Sequence, residues 1–277
     1  MFVTKKQEWE EIKGGEYKAL LIRGDAPLEI EEQKASIMAV HAIALVRAKN
    51  VKFFALDGNI WATDSTVIAL GGEIECFGDS TVYVLSPKVK VTLYDKSTVH
   101  VVDFSTEVVD FPTEEGKIAI GNSKLAKISS GTNPVIKVIT SQKEWDNIKT
   151  GEYEVVVIRR KKVDESEKIN VDSQKAPYIV VLNDGSVIVH KDVTVFGEEG
   201  LIECRGGIVA AWEKGFRVFT KLIDGEVYQY LGNLDVYGGK FFAPKLWKLT
   251  LFTSQYKGEV GEVKEVEDLT QKGVIIK

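Results

Sequence analysis

Short bursts of alternating apolar residues, each closed by a turn former, constrain this chain more than any motif in it. From Asn50 to Asp103 the bursts are Ile60/Ala62, Val67/Ala69, Ile74/Cys76, Val82/Val84, Val89/Val91/Leu93 and Val99/Val101. Between them stand Asp57-Gly58, Asp64-Ser65, Gly71-Gly72, Gly78-Asp79-Ser80, Ser86-Pro87 and Asp95-Lys96-Ser97, so bursts start about every seven to nine residues. Alternation with period two marks a strand with one buried side, and Gly, Asp, Ser and Pro at intervals mark corners. The pattern predicts a mainly β fold, and a β-solenoid suits it best. Each coil needs only small inward residues and frequent corners, and no coil buries its inner side without a stacked neighbour. An antiparallel β-sandwich or meander is the alternative, disfavoured by the absence of Asn-Gly hairpin turns.

The chain is also written twice. Residues 3–23, VTKKQEWEEIKGGEYKALLIR, align without gaps to 139–159, ITSQKEWDNIKTGEYEVVVIR, with ten of 21 positions identical. Residues 60–78 align to 188–206 with nine of 19 identical, including Ile74-Glu75-Cys76 against Ile202-Glu203-Cys204. The offset falls from 136 to 128 between the blocks, so the first copy carries eight more residues there, expected within 36–50. Two tandem units are predicted, 1–135 and 136–277, joined through the exposed stretch SSGTNP at 129–134.

Each unit should open on a short helix. Thr4, or Thr140/Ser141, can cap it; Trp9 and Ile12, or Trp145 and Ile148, share one face; Gly14-Gly15 or Gly151 can end it. EYKALLIR and EYEVVVIR then read as strands. The second copy repeats the rhythm through Val187/Val189, Val193/Val195, Ile202/Cys204, Val209, Val218, Val227, Leu234/Val236 and Phe241. The acidic run KGEVGEVKEVEDL at 257–269 reads as a last edge strand whose charges discourage further pairing.

The units TDSTVIAL (63–70), GDSTVYVL (78–85) and DKSTVHVV (95–102) resemble the short STV-type repeats of β-helical segments in uncharacterised bacterial and prophage-encoded proteins. The resemblance covers about 50–103 and implies an architecture and a mobile-element origin, with no activity attached. The second copy departs from it, with Asp192-Val193-Thr194-Val195 where the first has Asp64-Ser65-Thr66-Val67.

Bulk properties narrow the function classes. A chain of 277 residues with 44% hydrophobic and 28% charged residues suits a globular protein with a sizeable core. Its net charge of −5 offers no electrostatic footprint for nucleic acid or an anionic membrane. The basic run at 159–162 is followed by acids and reads as a solvated loop. The apolar stretch at 36–48 is too short to span a bilayer and carries His41 and Arg47. With no visible leader and two cysteines, a cytoplasmic setting is expected, and incorporation into a phage particle is compatible with it.

Gly78-Asp79-Ser80 resembles the nucleophile block of GDSL-type esterases, but no Asp-x-x-His follows, and the unit recurs at Asp64-Ser65-Thr66 and Lys96-Ser97-Thr98. A serine needs a base within hydrogen-bond reach to attack. A repeated Asp/Ser corner explains the letters more directly. Cys76 and Cys204 share the alternation phase of their neighbours and read as small inward hydrophobes. The three histidines lack metal-site spacing, and no nucleotide-binding glycine loop occurs, so neither metal nor cofactor is expected.

The residual enzymatic reading is a carbohydrate-active lyase or hydrolase using outward carboxylates, with Asp64, Glu75, Asp79 and Glu203 as candidates. The favoured reading is a non-enzymatic structural or recognition module. Tyr228, Tyr230 and Tyr237 are then a binding strip for a protein or polysaccharide surface, and the solenoid edges a route to homo-oligomers.

Overall fold

The computed structural model describes the chain except for residues 87, 103–117, 121–126, 130–134, 160–167, 183–184, 213–217 and 271–277. The basic run from residue 160 onward, the seam at 130–134, Asp184 and Phe216 therefore lie outside the described residues. The chain divides into two compact units, Met1–Asn133 and Pro134–Lys277.

Each unit is a parallel β-solenoid. In the first, Phe53 stands beside Val67, Val67 beside Val82 and Val82 beside Val99, so successive coils advance by 14, 15 and 17 residues. A second wall runs alongside: Ile60 beside Ile74, Ile74 beside Val91, Val91 beside Ile118. The second unit has the same plan, with Val195, Val209, Val227 and Phe241 in one wall and Val187, Ile202, Thr220 and Leu234 in the other. All strand pairings among the described residues are parallel, which removes the antiparallel sandwich and meander.

Inward residues of the two walls meet in one core per unit, small and β-branched as the alternation requires: Val67, Val82, Val91 and Cys76 in the first, Val195, Val209, Ile202 and Cys204 in the second. The first wall is buried on its outward side as well. Ala39, Phe54, Ile68 and Tyr83 are at most 7% exposed, as are Val157, Val180, Phe196 and Ala210. Burial on both sides is why these strands read as continuous apolar runs, such as ALLIR and EVVVIR, and not as clean alternation. The stretch at 36–48 begins as one of them, with Ile37, Met38, Ala39 and Val40 all buried at the start of strand Ile37–Lys49.

Several strands are longer than the bursts suggest. Ile37–Lys49, Lys52–Thr63, Gly200–Trp212 and Val218–Tyr230 run through a corner and serve both walls. Their registers slip at the bend, between Val40 and His41 and between Cys204 and Arg205. Lys257–Asp268 is the final edge strand.

A helix opens each unit: α1 (Lys6–Glu11) and α2 (Gln142–Asp146), with Trp9 and Trp145 buried in the respective cores. At α2, Ser141 Oγ accepts from the amide of Glu144, as a capping hydroxyl should. At α1 the work falls to Glu8, whose carboxylate accepts from the amides of Thr4 and Lys5 at 2.7 and 3.1 Å. Gly15 and Gly151 follow at φ +78° and +76°, a region open to glycine without steric cost.

Between the two aligned blocks the units differ by one coil. Gln33-Lys34-Ala35 and Gln174-Lys175-Ala176 precede equivalent strands at an offset of 141. From there the first unit passes through Ile37–Lys49 and Lys52–Thr63 to reach Thr66–Ala69, where the second goes directly from Tyr178–Val181 to Thr194–Gly197. The eight-residue excess is thus a net value: five residues fewer before this block and thirteen more after it.

Candidate functional site

The corner between the second and first walls is built differently in the two units. In the first unit Thr63 stands beside Phe77 and Cys76 beside Leu93, so the residues that follow, Asp64, Gly78 and Asp95, form a column. All three have left-handed backbones, at φ +49°, +64° and +55°. Asp and Gly are the residues that tolerate this conformation. The Asp79 amide donates to Asp64 Oδ1 and the Gly78 amide to Asp95 Oδ2, both at 2.9 Å. Candidate carboxylates Asp64 and Asp79 are therefore neighbours at a corner, where the first holds a backbone amide.

Ser65, Ser80 and Ser97 line the inside of the same corner, at most 3% exposed. Ser80 Oγ donates to the Phe77 carbonyl at 2.7 Å and accepts from the Ser65 amide at 3.2 Å. Ser65 Oγ donates likewise to Thr63 at 2.7 Å. The serine proton is directed to a backbone carbonyl, so the geometry gives Ser80 a structural role.

Glu75 lies on the outward side of the second wall, half-buried between Trp61 and Thr92. Glu203 holds the equivalent place in the second unit but is only 4% exposed, against the expectation of a solvated carboxylate. Lys168 Nζ donates to Glu203 Oε2 at 3.0 Å and Arg205 to Oε1 at 2.5 Å. Burial works to raise its pKa, but those two cations outweigh it and hold the carboxyl below the ordinary glutamate value. Asp64, Glu75 and Asp79 belong to the first unit and Glu203 to the second.

The three tyrosines do not form one strip. Tyr228 and Tyr230 point outward from the first wall, whereas Tyr237 closes the second wall just before a corner. Tyr228 is 4% exposed, stacks on Phe242 and donates to Glu226 Oε2 at 2.9 Å. Tyr230 stacks on Trp212 at 4.4 Å. Tyr237 alone is well exposed: its ring stacks on Phe252 at 4.2 Å with 5° between planes, and Lys221 Nζ sits 4.7 Å from its centroid. Both faces of the Tyr237 ring are thus occupied.

Cys76 and Cys204 are free, buried and inward; burial pushes their thiols up to about 12 and about 11. His100 lies half-buried on Tyr83, and burial lowers its pKa. Among the described residues no three His, Cys, Asp or Glu side chains converge as a metal site requires.

In the second unit the same corner carries Gly206-Gly207, Asp224-Gly225 and Gly238-Gly239 in place of the serine column. The chain needs glycine there: a Cβ on Gly225, at φ +95°, would stand 2.3 Å from the Gly207 carbonyl oxygen. Successive corners without side chains leave a furrow of about 560 Å³. Asp224, Glu226, Lys240, Tyr256 and Lys257 border it. The period-two bursts give no sign of the charged rim. The available signal was Lys240 and Lys257, 17 residues apart, one coil in this fold.

No protein-family model, no curated protein and no solved structure matches this chain.

Proposed function

We propose that this protein is a non-enzymatic recognition module: two duplicated solenoid units, each stiff, that present an outer surface to a protein partner. One observation carries the reading, the exposed Tyr237–Phe252 stack. Tyr237 and Phe252 are 37% and 40% exposed, and Leu269, in the next coil, is 52% exposed. Large apolar side chains held in solvent by a stiff sheet favour a contact surface, and aromatic anchors dominate such contacts. Sugar recognition by stacking requires an open ring face, which Phe252 and Lys221 deny to Tyr237. The candidate carboxylates lend the enzymatic alternative little: Glu203 is held by two cations, and Asp64 by a backbone amide.

Duplication accounts for the paired features. Asp64 and Asp192 share a left-handed backbone at φ +49° and +63°, and Gly72 and Gly200 share a positive φ. The STV units support a mobile-element origin, which the neighbouring genes would test. The binding reading is tested by crosslinked capture from cells of the source organism, with wild type against Tyr237→Ser/Phe252→Ser. A partner lost in the double variant, with the melting temperature unchanged, supports it. An identical capture profile, or binding to a glycan array that depends on these residues, refutes it.

A further inference from the structure

The furrow beside this surface is a second feature of the same unit, and it is charged. Along its rim Ile208 stands beside Glu226, Glu226 beside Lys240, and Lys240 beside Lys257. Two lysines directly opposite on neighbouring strands repel each other. Glu226 offsets only one of them. Its Oε1 lies 3.5 Å from Lys240 Nζ, and its Oε2 accepts from Tyr228. Lys257 is exposed and has no acid partner among the described residues. On the same coil as Glu226, Asp224 uses Oδ1 to accept from the Gly225 amide at 2.8 Å. Its second oxygen has no partner among the described residues.

We propose that the furrow seats an extended peptide segment of the partner, with an acidic side chain between Lys240 and Lys257. The inference rests on the reading of the protein as a recognition module. Three features select this ligand chemistry. A carboxylate between the lysines relieves their repulsion and satisfies Lys257. Asp224, on the coil adjacent to Lys240, suits a backbone N–H or a cationic side chain, and a peptide supplies both. The floor is glycine backbone, which another backbone can approach closely. Tyr256, the single ring at the rim, packs against Phe241 at 5.8 Å with 39° between the planes. The volume of about 560 Å³ lies within the range of small-ligand sites and holds a few residues. The first unit fills the same corner with Ser65, Ser80 and Ser97, so the seat belongs to the second unit alone.

The probe is a capped octapeptide of alternating glutamate and glycine, titrated into the full chain and followed by amide chemical shifts. The expected result is a saturable response confined to Gly206, Gly207, Gly225, Gly239 and Lys257. It should weaken at least tenfold in Lys240→Gln/Lys257→Gln and also at raised salt. The double variant replaces exposed side chains, and an unchanged melting temperature certifies its fold. The proposal is overturned if the glutamine–glycine peptide binds equally, if the double variant retains affinity, or if the glutamate peptide produces no local response. Tighter binding of an oligogalacturonate of equal charge overturns it too, by assigning the furrow to an acidic sugar. The recognition reading is judged separately, at Tyr237 and Phe252, and survives any of these results.

Discussion

The ammonium of Lys34 lies 4.7 Å from the ring centroid of Trp9 and donates to the Trp9 and Ile12 carbonyls at 2.7 and 2.9 Å. Lys175 repeats the arrangement over Trp145, 4.9 Å from the ring and 2.9 Å from its carbonyl. Each lysine takes the carbonyls that a short helix leaves open at its C-terminal end and pins the helix to the first coil. Lys34 is 6% exposed, so its carbonyl partners have little access to water. Replacing it with methionine keeps the volume and removes the donors. Lys34→Met should cost about 2 kcal/mol in chemical denaturation. Lys175→Met, at a half-buried site, should cost less. Equal and negligible losses would mean that neither lysine pins its helix.

Glycine substitutions separate backbone strain from steric exclusion. Gly151 has φ +76° and open space where a Cβ would stand, so Gly151→Ala should cost about 1 kcal/mol, the left-handed penalty alone. At Gly72 the Cβ would meet the Gly58 carbonyl oxygen at 2.5 Å, and the neighbouring coil would have to move. Gly72→Ala should cost more than about 4 kcal/mol or abolish soluble expression. Melting curves of the two variants provide the comparison.

Ser80→Ala should destabilise by on the order of 2 kcal/mol, because the Ser65 amide loses its buried acceptor. Asp79→Asn, at an exposed corner, should fall within about 0.5 kcal/mol of wild type. An ester-hydrolysis rate lost in Ser80→Ala, with stability unchanged, would contradict the structural role.

Glu8, Glu144 and Glu203 all have folded-state pKa values held below the ordinary 4.5. In each, burial acts to raise the value and hydrogen bonds outweigh it: from Thr4 and Lys5, from Thr140 and Ser141, and from Lys168 and Arg205. A depressed carboxyl contributes stability that is full above the unfolded value and lost as pH falls through the folded one. Unfolding free energy should therefore decline below about pH 4.5. Glu203→Gln should flatten that decline while lowering stability at pH 7, measured by urea titrations across the range.

Both thiols should resist alkylation in the native state at pH 8, since burial keeps them protonated and shielded. Mass spectrometry should find no adduct until denaturant is added, and then two. Rapid native labelling at Cys204, which borders the furrow corner, would show that this corner opens.

The coil rhythm was legible because period-two alternation and corner residues are local properties, written in consecutive letters from Ile60 to Val101. Side-chain exposure on the outer surface was not. Glu203 looks solvated in sequence, yet Lys168 and Arg205 close over it from 35 residues before and two residues after. Tyr228 and Tyr237 look like members of one strip, but the corner at Leu231-Gly232 puts them on different walls. The long bent strands escaped for a related reason: the glycine at Asp57-Gly58 reads as a break, whereas strand Lys52–Thr63 bends there and continues. The Gln-Lys-Ala blocks were present in the letters all along, at an offset that two insertions of opposite sign conceal.

The left-handed corner column sets how this fold can change length. Lys49 stands beside Thr63, and Asn50 at φ +56° begins the column that Asp64 continues. Joining Lys49 directly to Asp64 would remove one rung of fourteen residues and bring together ends that already occupy matching places in adjacent turns. The extra coil of the first unit has the same character. Such a molecule is graduated like a ladder, and its natural unit of insertion or loss is the rung and not the residue.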